Sequence, residues 1–304
     1  MSLNIPSHYI LQYDSDVKLA YQFGGDKLVG MIQTGQHQGE GAAPADYVSP
    51  TQANENPARL APTPTNNASV TRRWVYPTYF DHAHHIAKQD VSRVFNGGQL
   101  QQRYAENQGQ AMTRKRDDLI AAAIFSDAVT GKNGGTSTPY DTNMDVAVNY
   151  KSGSNTGLTV AKLVRGKKLL QARGVDLTTA KLLCIINSDD HEFLLSQIEL
   201  RSKEYNDKAV LVDGFVQSYL GINFIHMEYT DSTNYPNAYA AMYNGGTRYV
   251  PLFDAAAMYW GNWQPPQVDI AERKDLSNAL QMYAWAEGGA TRLQEGGVSR
   301  ISCV

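Results

Sequence analysis

Two cysteines in 304 residues, Cys184 inside an apolar run and Cys303 next to the end, give a structural disulfide no support, and reduced thiols are expected. Long apolar runs are also missing. None approaches the roughly 20 residues that cross a bilayer, and the start has no succession of charged, apolar and small segments that would make a secretion signal. A soluble chain with no membrane partner is expected. Charge of one sign is scarce too. Lys and Arg number 27 against 30 Asp and Glu, and a net charge of −3 gives no overall pull on nucleic acid or anionic lipid. That balance excludes a dedicated DNA-binding protein. The sequence has no internal repeat, and residues 157–228 hold no cluster of groups suited to covalent chemistry. With 42% apolar residues, a chain of this length still buries a sizeable core.

The poverty in large apolar residues is concentrated in one place. Between positions 31 and 70 only six stand out: Met31, Ile32, Tyr47, Val48, Leu60 and Val70. Burying six side chains does not offset the entropy of fixing forty backbones, so other chains must order this segment or nothing does. The flank from Val70 to Phe80, rich in aromatic and β-branched residues, reads as a strand returning from the loop. Two legs of about twenty residues each would reach at most about 65 Å at about 3.3 Å per residue.

Elsewhere the patterns are clear. Residues 6–23 permit a short amphipathic helix ending at Gly24 and Gly25. Residues 97–130 form the longest helical candidate, with Ala105, Met112 and Leu119 seven apart and Gly109 as a weak point. Thr159 caps a helix carrying Val160, Leu163, Val164 and Leu170 at helical spacing, and Gly174 ends it. Leu182–Ile186 reads as a strand buried on both faces, feeding a second capped helix through Asn187, Ser188 and Asp189. This stretch is locally α/β. From Pro265 and Pro266 onward, alternation predicts strands packed on the long helix.

Three stretches together carry a resemblance: Arg114-Lys-Arg-Asp-Asp-Leu-Ile-Ala-Ala-Ala-Ile-Phe125, Gly157-Leu-Thr-Val-Ala-Lys-Leu163 and Leu211-Val-Asp-Gly-Phe-Val-Gln-Ser-Tyr-Leu-Gly-Ile-Asn-Phe-Ile225. In order and spacing they look like the major capsid proteins of tailed bacteriophages. Tyr283 to Val298, with Gly289-Ala-Thr-Arg292 inside it, is similar to that family's terminal strands. The resemblance covers about residues 97–304. It implies an α+β Hong-Kong-97-type capsid fold with an N-terminal arm (1–24) and an extended β-hairpin loop (25–80). A peripheral domain (81–150) would hold the long spine helix, near 97–130. An axial domain (151–264) and terminal strands returning to the peripheral domain (265–304) complete it. It also implies a virion protein assembled in the bacterial host cytoplasm, self-associating into hexamers and pentamers. A scaffolding protein, a portal and packaged double-stranded DNA are the implied partners. No cofactor, metal or catalytic residue is implied. The expected subunit interface comprises Arg72, Arg73, Trp74, Tyr76 and Tyr79, with Trp260 and Trp263 either core or interface anchors.

The competing chemistry is a metal-dependent hydrolase. On a strand His82 and His84 face one side, and a metal could bridge them with a distant carboxylate such as Asp189 or Glu228. A polar strand end explains the His82–His85 cluster more simply, because no second ligand pair has diagnostic spacing. His226 and Glu228 read as a hydrogen-bonded pair in a sheet, and Asp189 and Asp190 as acidic residues favoured at a helix start. Gly131 to Thr136 is a turn. Arg114, Lys115 and Arg116 are offset by Asp117 and Asp118. Arg165, Lys167 and Lys168 form a solvated or intersubunit face, with phosphate contact as the minority reading.

Overall fold

The apolar run Leu182–Ile186 is buried along its whole length and anchors the larger of the layers. The computed structural model describes residues 24–55, 62, 65–87, 97–197, 211–212 and 215–304. The helix expected at 6–23, and the arm apart from Gly24, lie outside the described residues.

Strands β1 (Gln33–Gln36), β2 (Ala42–Val48), β3 (Val70–Val75) and β4 (Thr78–Ile86) precede helix α1 (Gly97–Phe125). Short strands β5 (Ala128–Thr130), β6 (Thr136–Thr138) and β7 (Asp145–Val146) follow. Next come α2 (Val160–Ala172), β8 (Leu182–Ile186), α3 (Ser188–Ser196), β9 (Leu211–Val212), β10 (Phe215–Val216), β11 (Ser218–Tyr219) and β12 (Ile222–His226). The chain ends through α4 (Pro236–Met242), β13 (Tyr243–Asn244), β14 (Thr247–Asp254), β15 (Met258–Arg273), β16 (Ala279–Arg292) and β17 (Val298–Cys303).

One sheet runs β11-β12-β8-β14-β17-β7, with β13 added on β14. Its central strand β8 lies parallel to β12 and antiparallel to β14, which explains a run with no polar alternation. Helix α2 starts where the Thr159 hydroxyl accepts from Lys162 N and stops at Gly174, whose φ of +92° lets Val175 N bond back to the Leu170 carbonyl. Val164, expected in the stripe, is exposed, while Leu163, Gly166 and Leu170 face the core. Asn187 and Asp190 close a reciprocal capping box at the start of α3.

The other large sheet runs β1-β15-β16-β4, and α1 packs across it through Met112 and Leu119 against Phe80, Ala284 and Ala286. Helix α1 is continuous through Gly109, where an added side chain would meet open space. It ends at Phe125, five residues short of the expected limit, because 128–130 pair as β5. Ala105 is exposed, so the seven-residue stripe is covered only from Met112 onward. Pro265 and Pro266 do not begin a new segment. They sit inside β15, where the register to β16 shifts between Asn262 and Gln267, as residues without an N–H require. The segment 265–304 is divided between sheets: the rest of β15 and β16 join β4, whereas β17 pairs with β14 and β7.

Strands β2 and β3 pair antiparallel, from Ala42 opposite Val75 to Val48 opposite Val70, and the pairing continues where Ser49 N donates to the Ser69 carbonyl. Among the described residues the ladder between the two strands runs from Ala42 to Ser49 and from Ser69 to Val75. The single strand expected from Val70 to Phe80 is broken at Tyr76 and Pro77 into β3 and β4, which enter different sheets.

Candidate assembly interface

Alternation along β3 sends neighbouring side chains to opposite faces and sets up the root of the hairpin. Arg72 points across to β2, donating to both carboxylate oxygens of Asp46 at 2.7 and 2.8 Å. Arg72 thereby holds the Asp46 carboxyl below its usual range. Both groups are largely solvated, so the pair fixes register more than it stabilises. Arg73 faces inward, is buried, and lies 3.0 Å from Glu295. Trp74 donates its indole N–H to the Gly131 carbonyl at 2.8 Å and stacks on Tyr76. Gly131 and Gly134, with φ of +91° and +72°, make the expected turn between β5 and β6.

The remaining expected interface residues divide by burial. Trp260 is 2% exposed and belongs to the main core, so it has no surface left for a neighbour. Trp263 is half-buried, donating to the Gly39 carbonyl and packing on His37. Tyr76 and Tyr79 are exposed. The Tyr79 hydroxyl lies 2.6 Å from that of Tyr283, which donates to Asp81 and stacks on Trp285. The outer face of β4 and β16 therefore carries an aromatic row open to solvent.

Sequence reading missed what the Gly-Ala-Thr-Arg element does. An added Cβ on Gly289 would stand 2.0 Å from the Tyr76 carbonyl oxygen, and one on Gly288 would strike Trp260, so two glycines let β16 pass the hairpin root. Arg292, fully buried, donates to the carbonyls of Ile124 and Ser126 at 2.7 and 2.8 Å and to Glu295 at 2.6 Å. Its charge meets the negative end of α1. Glu295 thus stands between Arg292 and Arg73 and ties the helix end to the hairpin. At the other side of α1, Asp117 accepts from the backbone of Lys27 and Leu28, Arg116 pairs with Asp26, and Asp118 accepts from Ala238 N and Asn237. Of the offsetting expected within 114–118, Lys115 pairs with Asp118 at 3.0 Å, while Arg116 turns to Asp26 instead.

The groups that suggested metal chemistry do not converge. His82 and His84 do share a face, with ring centroids 4.5 Å apart. Asp189 is 3.4 Å from Arg248, however, and Glu228 accepts from Ser188 N and Oγ at the start of α3. Glu228 thus lies past the end of β12 and holds the start of α3, and the His226 ring packs on His191 at 4.7 Å. Among the described residues, no three His, Cys, Asp or Glu side chains gather to hold a metal ion. Asp190 is a buried structural group, bonded to Tyr229, Arg248 and the Asn187 backbone; burial outweighs these partners and raises its carboxyl above the usual range. Cys184 and Cys303 are free and buried, and burial pushes the Cys303 thiol up to about 12. Among the described residues no helix is long and apolar enough to cross a membrane.

The fold is that of viral shell proteins. The capsid structure of cyanophage P-SCSP1u superposes with a TM-score of 0.69 at 11% identity, over 94% of this chain and 91% of that one. A chain of Mycobacterium phage Che8 gives 0.68 at 14% identity over 97% of each. The acid-stable capsid of Helicobacter pylori bacteriophage KHP30 gives 0.67 at 11% identity, covering 99% and 96%. No curated protein matches in sequence. The sequence profile of the family described as Phage capsid protein matches residues 5–304. The α+β Hong-Kong-97-type fold expected from the resemblance is therefore the fold found, and the metal-dependent hydrolase reading has no support. The chain belongs to the phage capsid protein family and is a major capsid protein.

Proposed function

We propose that copies of this chain close as pentamers and hexamers into the icosahedral head of a tailed bacteriophage, around double-stranded DNA, in the host cytoplasm. The observation that carries this reading is the hairpin. Beyond Ser49 and Ser69 its described residues are exposed, Val48 and Val70 are about two-thirds exposed, and the root is held by Arg73 and Trp74. A firmly rooted arm whose described outer residues find no cover on their own body suits a neighbour's surface. In this reading 25–80 is the extended loop, 81–150 the peripheral domain, 151–264 the axial domain, and 265–304 contribute to both sheets. Arg72, Tyr76, Tyr79 and Trp263, with Tyr283 and Trp285, supply the contact surface, rich in the aromatic and Arg side chains that anchor interfaces.

Scaffolding protein and portal are the partners such assembly calls for. DNA contact would be made without sequence preference by Lys168, which is exposed, beside Arg165 and Lys167 on α2. Their neighbours temper this. Arg165 lies over the Tyr150 ring and Lys167 donates to the Leu220 carbonyl.

Replacing residues 50–68 by a short Gly-Ser linker tests the reading. The shortened protein is expected to fold with unchanged helix content but to yield no closed particles by electron microscopy and sedimentation. Particles of ordinary size and yield would refute the role given to the hairpin.

A further inference from the structure

The Asp81-His82-Ala83-His84-His85 stretch has no part in the reading above, yet its geometry is unusual. Strand β4 is the edge of its sheet, and alternation turns His82 and His84 toward α1 while Asp81 and His85 face solvent. The two inward rings meet edge to face at 4.5 Å, and His84 packs on Tyr104 of α1 at 5.2 Å. Gln108, one turn further along α1 and 1% exposed, donates to the main-chain carbonyls of His82 and Met282, so this turn of the helix is docked through the backbone of the histidine strand. Nδ1 of His82, Nε2 of His84 and Oε1 of Gln108 are all buried with no hydrogen-bond partner.

We propose that His84, packed between His82 and Tyr104, forms an acid-sensitive contact between α1 and the edge of its sheet, closed while its ring is neutral and loosened when it takes up a proton. The protonated His84 ring would present a buried N–H at Nε2 to a patch where, among the described residues, Gln108 Oε1 is the unpartnered acceptor, with the His82 ring in edge contact. Among the described residues no carboxylate pairs with His84. Opposite the pair on β16 are Met282 and Ala284; the neighbouring Tyr283 bonds to Asp81 on the outer face. On β15 the residues in line are Ile270 and Val268. Among the described residues of α1 the facing groups include Tyr104 and the neutral Gln108, and Arg103 donates to Glu106 at 2.8 Å. Burial first, then the like charges of His82 and His85, lower the pKa of His84. The sign follows. A histidine whose folded value is depressed leaves the unfolded chain binding more protons, so the stability it supports is present above the ordinary imidazole pKa, about 6.5, and is lost as pH falls below it.

Hydrogen exchange on the full chain between pH 7.5 and 5.5, corrected for intrinsic rates, tests the contact locally. Protection in residues 80–86 and 104–112 should fall several-fold on acidification, and His84→Phe should abolish most of that fall. The pair formed by His191 on α3 and His226 on β12 serves as an internal control, since any fall around β12 should persist in the variant. An equal fall in the parent and in His84→Phe would overturn the proposal. Should His84→Phe not fold, exchange at the imidazole C2 position of the unaltered protein reports the His84 pKa directly. A value below the ordinary one supports the contact, and a value at or above it overturns the contact.

Discussion

Gly289 and Gly109 carry opposite meanings although both are glycines inside regular elements. At Gly289 a methyl group would collide with the Tyr76 main chain, which is fixed by its neighbours in β3 and β4. Gly289→Ala is expected to lose about 1 to 3 kcal/mol by forced displacement, whereas Gly109→Ala, open to solvent on α1, should gain about 1 kcal/mol from helix propensity. Urea denaturation of both variants checks the pair, and a neutral Gly289→Ala would show that β16 does not pass so close. Residues legible in advance were those whose role is local: Thr159, Gly174 and Asn187 act within four residues of themselves. Trp260 and Val164 were not, since burial depends on which distant element covers a face. Trp260 is enclosed by the core, while Val164 lies on the uncovered side of α2.

Among the elements, α1 shows how a helix of 29 residues is terminated from a distance. Its sequence has no basic residue in the last turn and no glycine cap, and Arg292, far along the chain, supplies the donors for its final carbonyls. Arg292→Met keeps the volume but leaves those carbonyls and Glu295 without their cation. A loss of about 3 kcal/mol is expected, with exchange protection falling first at residues 120–125 and β5. Unchanged protection there would contradict the clamp. The periodicity of 97–130 disclosed a long helix but not this ending, because the signal sits in β16. Likewise the alternation after Pro265 foretold strands, while the assignment of β17 to the other sheet rests on pairing with β14, which no local pattern encodes. The mid-strand prolines read as a boundary because their usual effect is to stop a ladder; here β15 is an edge at that point and bulges instead.

For the molecule as a whole, the scarcity of large apolar residues between 31 and 70 was the most useful signal. The first part of that segment is nonetheless covered by the chain's own body, since Ile32 is buried and β1 pairs with β15, whereas the described residues of the hairpin beyond Ser49 and Ser69 are exposed. What composition did not convey was how firmly the root is built, with Arg73, Glu295, Arg292 and Trp74 joining hairpin, helix end and terminal strands. A firm root and an uncovered arm together describe a subunit that is finished only beside another copy. The most direct test is a cryo-electron microscopy map of assembled particles at side-chain detail. Residues 49–69 are predicted to lie across an adjacent copy, with Tyr79, Tyr283 or Trp285 within an intersubunit contact. Density that folds this segment back onto the body that bears it, with those aromatic side chains still facing solvent, would contradict the account.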